Sequence, residues 1–129
     1  MYKRQPQEAA RQSPADTGRE LPPFDRMAAL ATTGTDETLL AVAGVFAVQA
    51  PKLLQQARAA LTANDAEGVY RAAHTLNGTA SIFSARRTTE LAAELERLAR
   101  AADLAGAPVV LERLAAEVTR LLDALRAAR

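Results

Sequence analysis

Apolar residues recur along this chain at spacings of three and four, the period of helices that are buried along one side. The longest such pattern contains Leu39, Ala43, Phe46, Ala50, Leu53, Ala57 and Ala60. It predicts a helix that begins at Thr35 or Asp36, with Glu37 in its first turn. Because proline cannot donate a backbone hydrogen bond, Pro51 predicts a kink within this helix.

Three more helices follow the same rule. One is capped by Asn64-Asp65, runs to about Phe83 or Ser84, and has an apolar stripe of Val69, Ala72, Ala73, Leu76, Ala80 and Phe83. The next carries Leu91, Leu95, Leu98 and Ala102. After a turn at Gly106 and Pro108, the last carries Leu111, Leu114, Val118, Leu121 and Leu125.

The connections between these helices are short, so consecutive helices are expected to lie antiparallel. A further short helix is predicted to begin near residues 22–25 and to run to about Ala31, ended by the polar turn that contains Gly34. The predicted fold is therefore all-α, an antiparallel up-down four-helix bundle with a short extra N-terminal helix. Residues 22–129 form this domain, and residues 1–21, with their proline, glycine, glutamine and mixed charges, predict a disordered tail or interdomain linker.

Composition excludes several classes of function. The net charge of +1 gives no electrostatic basis for binding nucleic acid or membranes, and no targeting or spanning segment is found, so a cytoplasmic location is expected. Without cysteine there is no thiolate chemistry, and without a glycine-rich phosphate loop the chain is not expected to bind ATP. Arg71 stands where a di-iron bundle needs glutamate, three residues before its histidine, so no metal or other cofactor is predicted.

His74 is the only histidine, and it lies about 150° around its helix from the centre of the apolar stripe. We therefore expect its imidazole to face solvent. Gly78 follows one turn later, although a glycine within a helix costs about 1 kcal/mol relative to alanine. A local rule broken beside the only histidine indicates a functional site.

The run His74-x-Leu76-x-Gly78-x-Ala80-x-x-Phe83-x-Ala85 resembles the phosphoacceptor motif of histidine-containing phosphotransfer (HPt) domains. The resemblance covers about residues 22–127, including the flanking helices. Two positions depart from the usual pattern: Asn77 replaces a lysine and Ser84 replaces a glycine. The second departure concerns only how the helix ends.

This resemblance implies a phosphoryl carrier rather than an enzyme. His74 would accept the phosphoryl group through Nε2 from an aspartyl phosphate of one response-regulator receiver domain and pass it to another, with a sensor histidine kinase upstream. The receiver domains would bring their own Mg²⁺. Gly78 would leave room for the partner, and Asn77 could donate a hydrogen bond but no charge. Arg71 is a candidate for the missing charge and Ser81 for a further hydrogen bond, although for each of them an ordinary solvated surface role is the preferred interpretation.

Other functions remain open at this point. A catalytically degenerate HPt-like module would keep the fold without the chemistry, and Asn77 is the feature that favours it. A helical interaction protein could pair the last helix with a second copy, but that seam spans only about two heptads, so intrachain packing and a monomer are preferred. The chain could be free-standing or part of a hybrid sensor kinase, and the linker-like residues 1–21 favour the second.

Overall fold

The computed structural model describes residues 22–127, which form five helices and no strand. They are α1 (Arg26–Thr33), α2 (Asp36–Thr62), α3 (Ala66–Ser81), α4 (Arg86–Arg100) and α5 (Ala107–Ala127). The all-helical prediction is therefore confirmed. The tail or linker predicted for residues 1–21 lies outside the described residues, as do residues 128–129.

The four long helices form a closed ring. α2 packs against α3 and α5, and α4 packs against the same two helices from the other side. An ion pair between Arg58 Nε and Glu112 Oε2, 3.2 Å apart, also joins α2 to α5. The short helix α1 packs on α2, and the backbone N–H of Asp25 donates to the carbonyl of Phe83 at 3.1 Å. This is the predicted up-down bundle with its extra N-terminal helix.

Most residues of the predicted apolar stripes form the core, although Ala43 and Leu53 of α2 are only partly buried and Leu54, which was not predicted, is buried. Phe46 of α2 and Phe83 after α3 are both fully buried, and their ring centroids lie 5.4 Å apart. The five seam residues of α5 are also buried: Leu111, Leu114, Val118, Leu121 and Leu125. That seam is therefore used within the chain and is not free to pair with another copy.

Side-chain caps fix where the helices begin. Asp25, Thr35 and Asp65 each accept a hydrogen bond at 3.0 Å from the backbone N–H three residues on. Each satisfies one of the amides that have no partner within their own helix. The start of α2 after Thr35 and of α3 after Asp65 agrees with the sequence. Helix α1 begins directly after the predicted start region, because Asp25 is its cap, and ends at Thr33, slightly later than predicted.

Three helices end in the same hydrogen-bonded turn, with a left-handed residue that is not glycine. These residues are Asn64 after α2, Ser84 after α3 and Ala102 after α4, with φ of 57°, 51° and 56°. After α4, the N–H of Ala102 donates to the carbonyl of Ala99 and that of Asp103 to the carbonyl of Leu98, which is the Schellman pattern. The sequence prediction for Ala102 was wrong: it is exposed in this turn and does not extend the apolar stripe of α4.

Candidate functional site

His74 lies in the middle of α3, on the side that faces away from the core. Its neighbours Ala73 and Leu76 are fully buried, whereas 66% of the His74 side chain is exposed. The expectation of an outward-facing imidazole on a continuous helix is confirmed. The Asp65 cap and the buried stripe together fix the rotation of α3 and therefore the direction of this side chain.

Glu96 of α4 holds one nitrogen of the imidazole. Its Oε1 lies 3.2 Å from Nδ1 of His74, and its Oε2 accepts a hydrogen bond of 2.7 Å from Nδ2 of Asn77. An ionised carboxylate can only accept, so the bonded Nδ1 carries a proton and the neutral ring keeps its lone pair on Nε2. The Glu96 side chain is only 15% exposed, so this contact is better shielded than an ordinary surface ion pair.

Tyr70 lies against the imidazole from one turn earlier. The two rings are nearly parallel, at 14°, with centroids 5.5 Å apart. On α4, Arg100 donates from Nη2 to the Tyr70 hydroxyl at 3.0 Å, and its guanidinium carbon lies 5.1 Å from the centre of the Tyr70 ring. Tyr70 therefore links a cationic side chain of α4 to the face of the histidine ring.

The other predicted site residues lie on the same outer face of α3 but make local contacts. Arg71 pairs with Glu67 one turn back, with Nη1 and Oε2 3.1 Å apart and both side chains largely exposed. Ser81 donates its hydroxyl hydrogen to the Gly78 carbonyl at 2.7 Å. A Cβ atom added at Gly78 would meet nothing within 4 Å, so the fold itself does not require glycine there.

Sequence reasoning missed Glu96 and Arg100 as site residues. Both lie on the edge of the α4 apolar stripe, one residue after Leu95 and Ala99, where a charged residue ordinarily faces solvent. No group of three or more acidic, histidine or cysteine side chains within residues 22–127 has the arrangement of a metal site. Glu90 and Glu94, which share a face of α4, are exposed.

Comparisons with known proteins show the family to which the chain belongs. The family model described as Hpt domain matches residues 41–128. This chain belongs to the Hpt domain family. Among solved structures, the histidine-containing phosphotransfer protein B (HptB) of Pseudomonas aeruginosa PAO1 superposes with a TM-score of 0.78 at 23% identity, over 84% of this chain and 96% of that one. No curated protein matches the chain in sequence.

Membership of the Hpt family shows the general function of the domain. The chain is a histidine phosphotransfer module of phosphorelays, a phosphoryl carrier of a family whose members interact with receiver domains and kinases. Nothing in the comparisons favours an Hpt-like module without phosphotransfer.

Proposed function

We propose that His74 is the phosphoacceptor of this Hpt domain and exchanges a phosphoryl group with the aspartyl phosphate of a receiver domain. The proposal rests on one observation: the imidazole is exposed, and its Nδ1 is hydrogen-bonded to Glu96. That bond leaves the lone pair of Nε2 available to attack the phosphorus atom. His74 is also the only imidazole in the sequence, so no other side chain can form a phosphohistidine.

In the proposed transfer step, this chain supplies neither a metal ion nor a base. The Nε2 lone pair attacks the phosphorus in line, the N–P bond forms, and the bond from phosphorus to the aspartyl oxygen breaks with its electrons left on the receiver carboxylate. The ring keeps its proton on Nδ1 and becomes cationic. Glu96 stabilises that cation through a charge-assisted hydrogen bond. When the phosphoryl group passes to the aspartate of a second receiver, the N–P bond breaks and the ring becomes neutral again.

Two arginines flank the ring where the family's lysine is absent. Arg71 is held only by its exposed pair with Glu67, a contact of small energy that a phosphoryl group can displace. Arg100 lies on the α4 side, held by Tyr70. Asn77 still has one amide hydrogen beyond the one bonded to Glu96, and this hydrogen is its contribution to the phosphoryl group.

The receiver would dock over the outer face of α3. Gly78 leaves open space one turn after His74, and a groove beside Asn77 and Ser81 continues toward Asp25 at the start of α1 and Arg86 at the start of α4. Ser81 therefore lines the docking groove, although its own proton is bonded to the helix. The receiver would bring the Mg²⁺ that screens the phosphoryl oxygens, so the proposed transfer places no metal ion on this chain.

We further propose that the module works in the cytoplasm, between two receiver domains and downstream of a sensor histidine kinase. The composition of residues 1–21 favours a place within a hybrid kinase over a free-standing carrier.

The test is transfer of label from a phosphorylated receiver domain to the purified chain. Wild type should gain label that is lost in acid and retained in alkali, as expected of phosphohistidine. His74→Ala should gain none while its helical circular dichroism stays unchanged, because the side chain lies outside the core. The exposed Thr75→Ala serves as the matched control and should be labelled like wild type. Labelling of His74→Ala, or none of the wild type, contradicts the proposal.

Glu96→Gln tests the role of the carboxylate separately. The amide still accepts from Nδ1 but brings no negative charge, so transfer should slow by roughly fivefold, the equivalent of about 1 kcal/mol. An unchanged rate would show that Glu96 does not stabilise the cationic ring.

A further inference from the structure

The outward face of α2 is apolar and has no partner within the described part of the chain. Leu40, Val45 and Val48 are 40%, 56% and 59% exposed, and residues 38–51 contain no charged side chain. At about 100° per residue, Gly44 and Val48 lie opposite the buried side of α2 that carries Phe46. Most surface helices place charged residues on such a face, so this one is unusual.

This face is separate from the histidine site. α2 contacts α3 and α5, whereas His74 is joined to Glu96 of α4, the helix diagonally across the ring from α2. The solvent-exposed side of α2 therefore points in a different direction from the imidazole. A groove between α2 and α5, lined by Leu40, Gly44 and Leu125, continues the apolar surface farther from α3.

Opposite charges stand at the two ends of the apolar face. Glu37 lies in the first turn of α2, and Lys52 lies just beyond the uncharged stretch; both are exposed. Neither forms an ion pair with any residue in the range 22–127, although the adjacent Asp36 is bonded to Arg26 at 3.0 Å. In an antiparallel pair of identical helices related by a two-fold axis, the alignment centred between Gly44 and Val45 places Glu37 of each copy opposite Lys52 of the other.

The same alignment also matches side-chain sizes. When residue 37 is opposite residue 52, Gly44 is opposite Val45 of the second copy and Ala41 is opposite its Val48. Each exposed valine then lies over a small residue, which allows the two helix backbones to approach closely. Charge and shape thus both favour this alignment.

We propose that this face of α2 binds the same face of a second copy in an antiparallel homodimer that leaves both His74 side chains accessible. The expectation of a monomer depended on the α5 seam, which is indeed buried; α2 supplies a different surface. Because one helix face is small compared with standard interfaces, association should be weak and concentration-dependent.

A membrane surface is a less suitable occupant. By length and composition, α2 is the one described helix that could cross a membrane, but Leu39 and Phe46 on its inner side form part of the bundle core. Helices that lie on membranes are usually rich in lysine and arginine beside the apolar face, whereas α2 has only Lys52 and Arg58, and Arg58 is paired with Glu112.

The experiment is sedimentation equilibrium of the full chain from low-micromolar to millimolar concentration. Wild type should shift from monomer toward dimer. Val48→Glu should remain monomeric, whereas Val109→Glu on α5, an equally exposed valine at 57%, should associate like wild type. Circular dichroism checks that both variants are folded.

A charge exchange tests the antiparallel alignment. Lys52→Glu and Glu37→Lys should each weaken association by roughly three- to tenfold, since two symmetric pairs change to repulsion, and the double variant should restore it. A wild type that stays monomeric at millimolar concentration overturns the proposal, as does a double variant no better than the single ones. The proposal also fails if Val48→Glu leaves the mass unchanged but removes binding to phosphatidylglycerol vesicles, or slows labelling by a receiver domain.

Discussion

The substitution Gly78→Ala should have opposite effects on the stability of the domain and on its phosphotransfer with a receiver domain. A methyl group at this position would meet nothing within 4 Å in the domain itself, so the substitution carries no internal clash. Alanine is favoured over glycine within a helix by about 1 kcal/mol, and for a domain of this size that raises the melting temperature by roughly 4 °C. The variant should therefore be more stable than wild type.

Phosphotransfer should change in the opposite direction. Gly78 lies one turn from His74 on the face that the receiver would cover, so the added methyl group would overlap with the incoming partner. Overpacking of one methyl group costs about 1–3 kcal/mol, which corresponds to transfer slowed by roughly five- to 150-fold.

Gly68→Ala is the matched control on the same helix. There an added Cβ would lie 2.6 Å from Oδ2 of the Asp65 cap and 2.9 Å from Cβ of Ala60 on α2, at the crossing of the two helices. The clash of about 1–3 kcal/mol and the disturbed cap of about 1 kcal/mol exceed the gain in helix propensity. This variant should be less stable, with labelling affected only through the folded fraction.

Thermal unfolding and label transfer measured on the same samples give both readings. If Gly78→Ala is destabilised like Gly68→Ala, the fold itself requires glycine at position 78, and a Cβ atom there is not accommodated without a clash. If it is stabilised but takes up label at the wild-type rate, the receiver does not approach this part of α3.

Three further substitutions follow from the site and the helix ends. Asn77→Lys should speed phosphotransfer or slow the loss of phosphate, because it adds a positive charge at the position where the family's lysine stands; unchanged rates for both would exclude charge at this position as the limiting feature. Ser84→Gly should raise the urea midpoint by the equivalent of about 1 kcal/mol, since φ of 51° suits glycine, and no rise would mean that the turn is unstrained. Thr88→Val should also stabilise, by about 1–2 kcal/mol, because the Thr88 hydroxyl is buried without a hydrogen-bond partner; a lower midpoint would indicate that this hydroxyl does have a partner.

The helices could be predicted from the sequence because each depends on local spacing. The stripe from Val69 to Ala80 specifies both the helix and the side of it that is buried, and hence the exposure of His74. The end of α4 could not be predicted in the same way. Ala102 continues the apolar spacing, but the chain must turn there to reach α5, and a left-handed alanine completes that turn.

The partners of His74 were harder to predict than its exposure. Its bond to Glu96 joins residues 22 positions apart, and the Tyr70–Arg100 contact joins residues 30 apart. Such contacts depend on how α4 is rotated and shifted against α3, which the period of either helix alone does not determine. Arg71 had the right position for a charge near the ring, but Glu67 one turn back is its partner in the isolated domain.

An even number of long helices has a consequence for how this domain can be joined to others. Since α2 to α5 alternate in direction, the chain leaves the bundle at the end where it entered, and the bond from Asp25 to Phe83 holds the entry there as well. In a longer polypeptide, the connections to the preceding and following domains would both lie at this end of the bundle. The two neighbouring domains would then be adjacent, and the bundle would project away from them. The imidazole lies halfway along the bundle, away from that end. It would therefore stay accessible to a partner protein whether the module is inserted between other domains or stands alone.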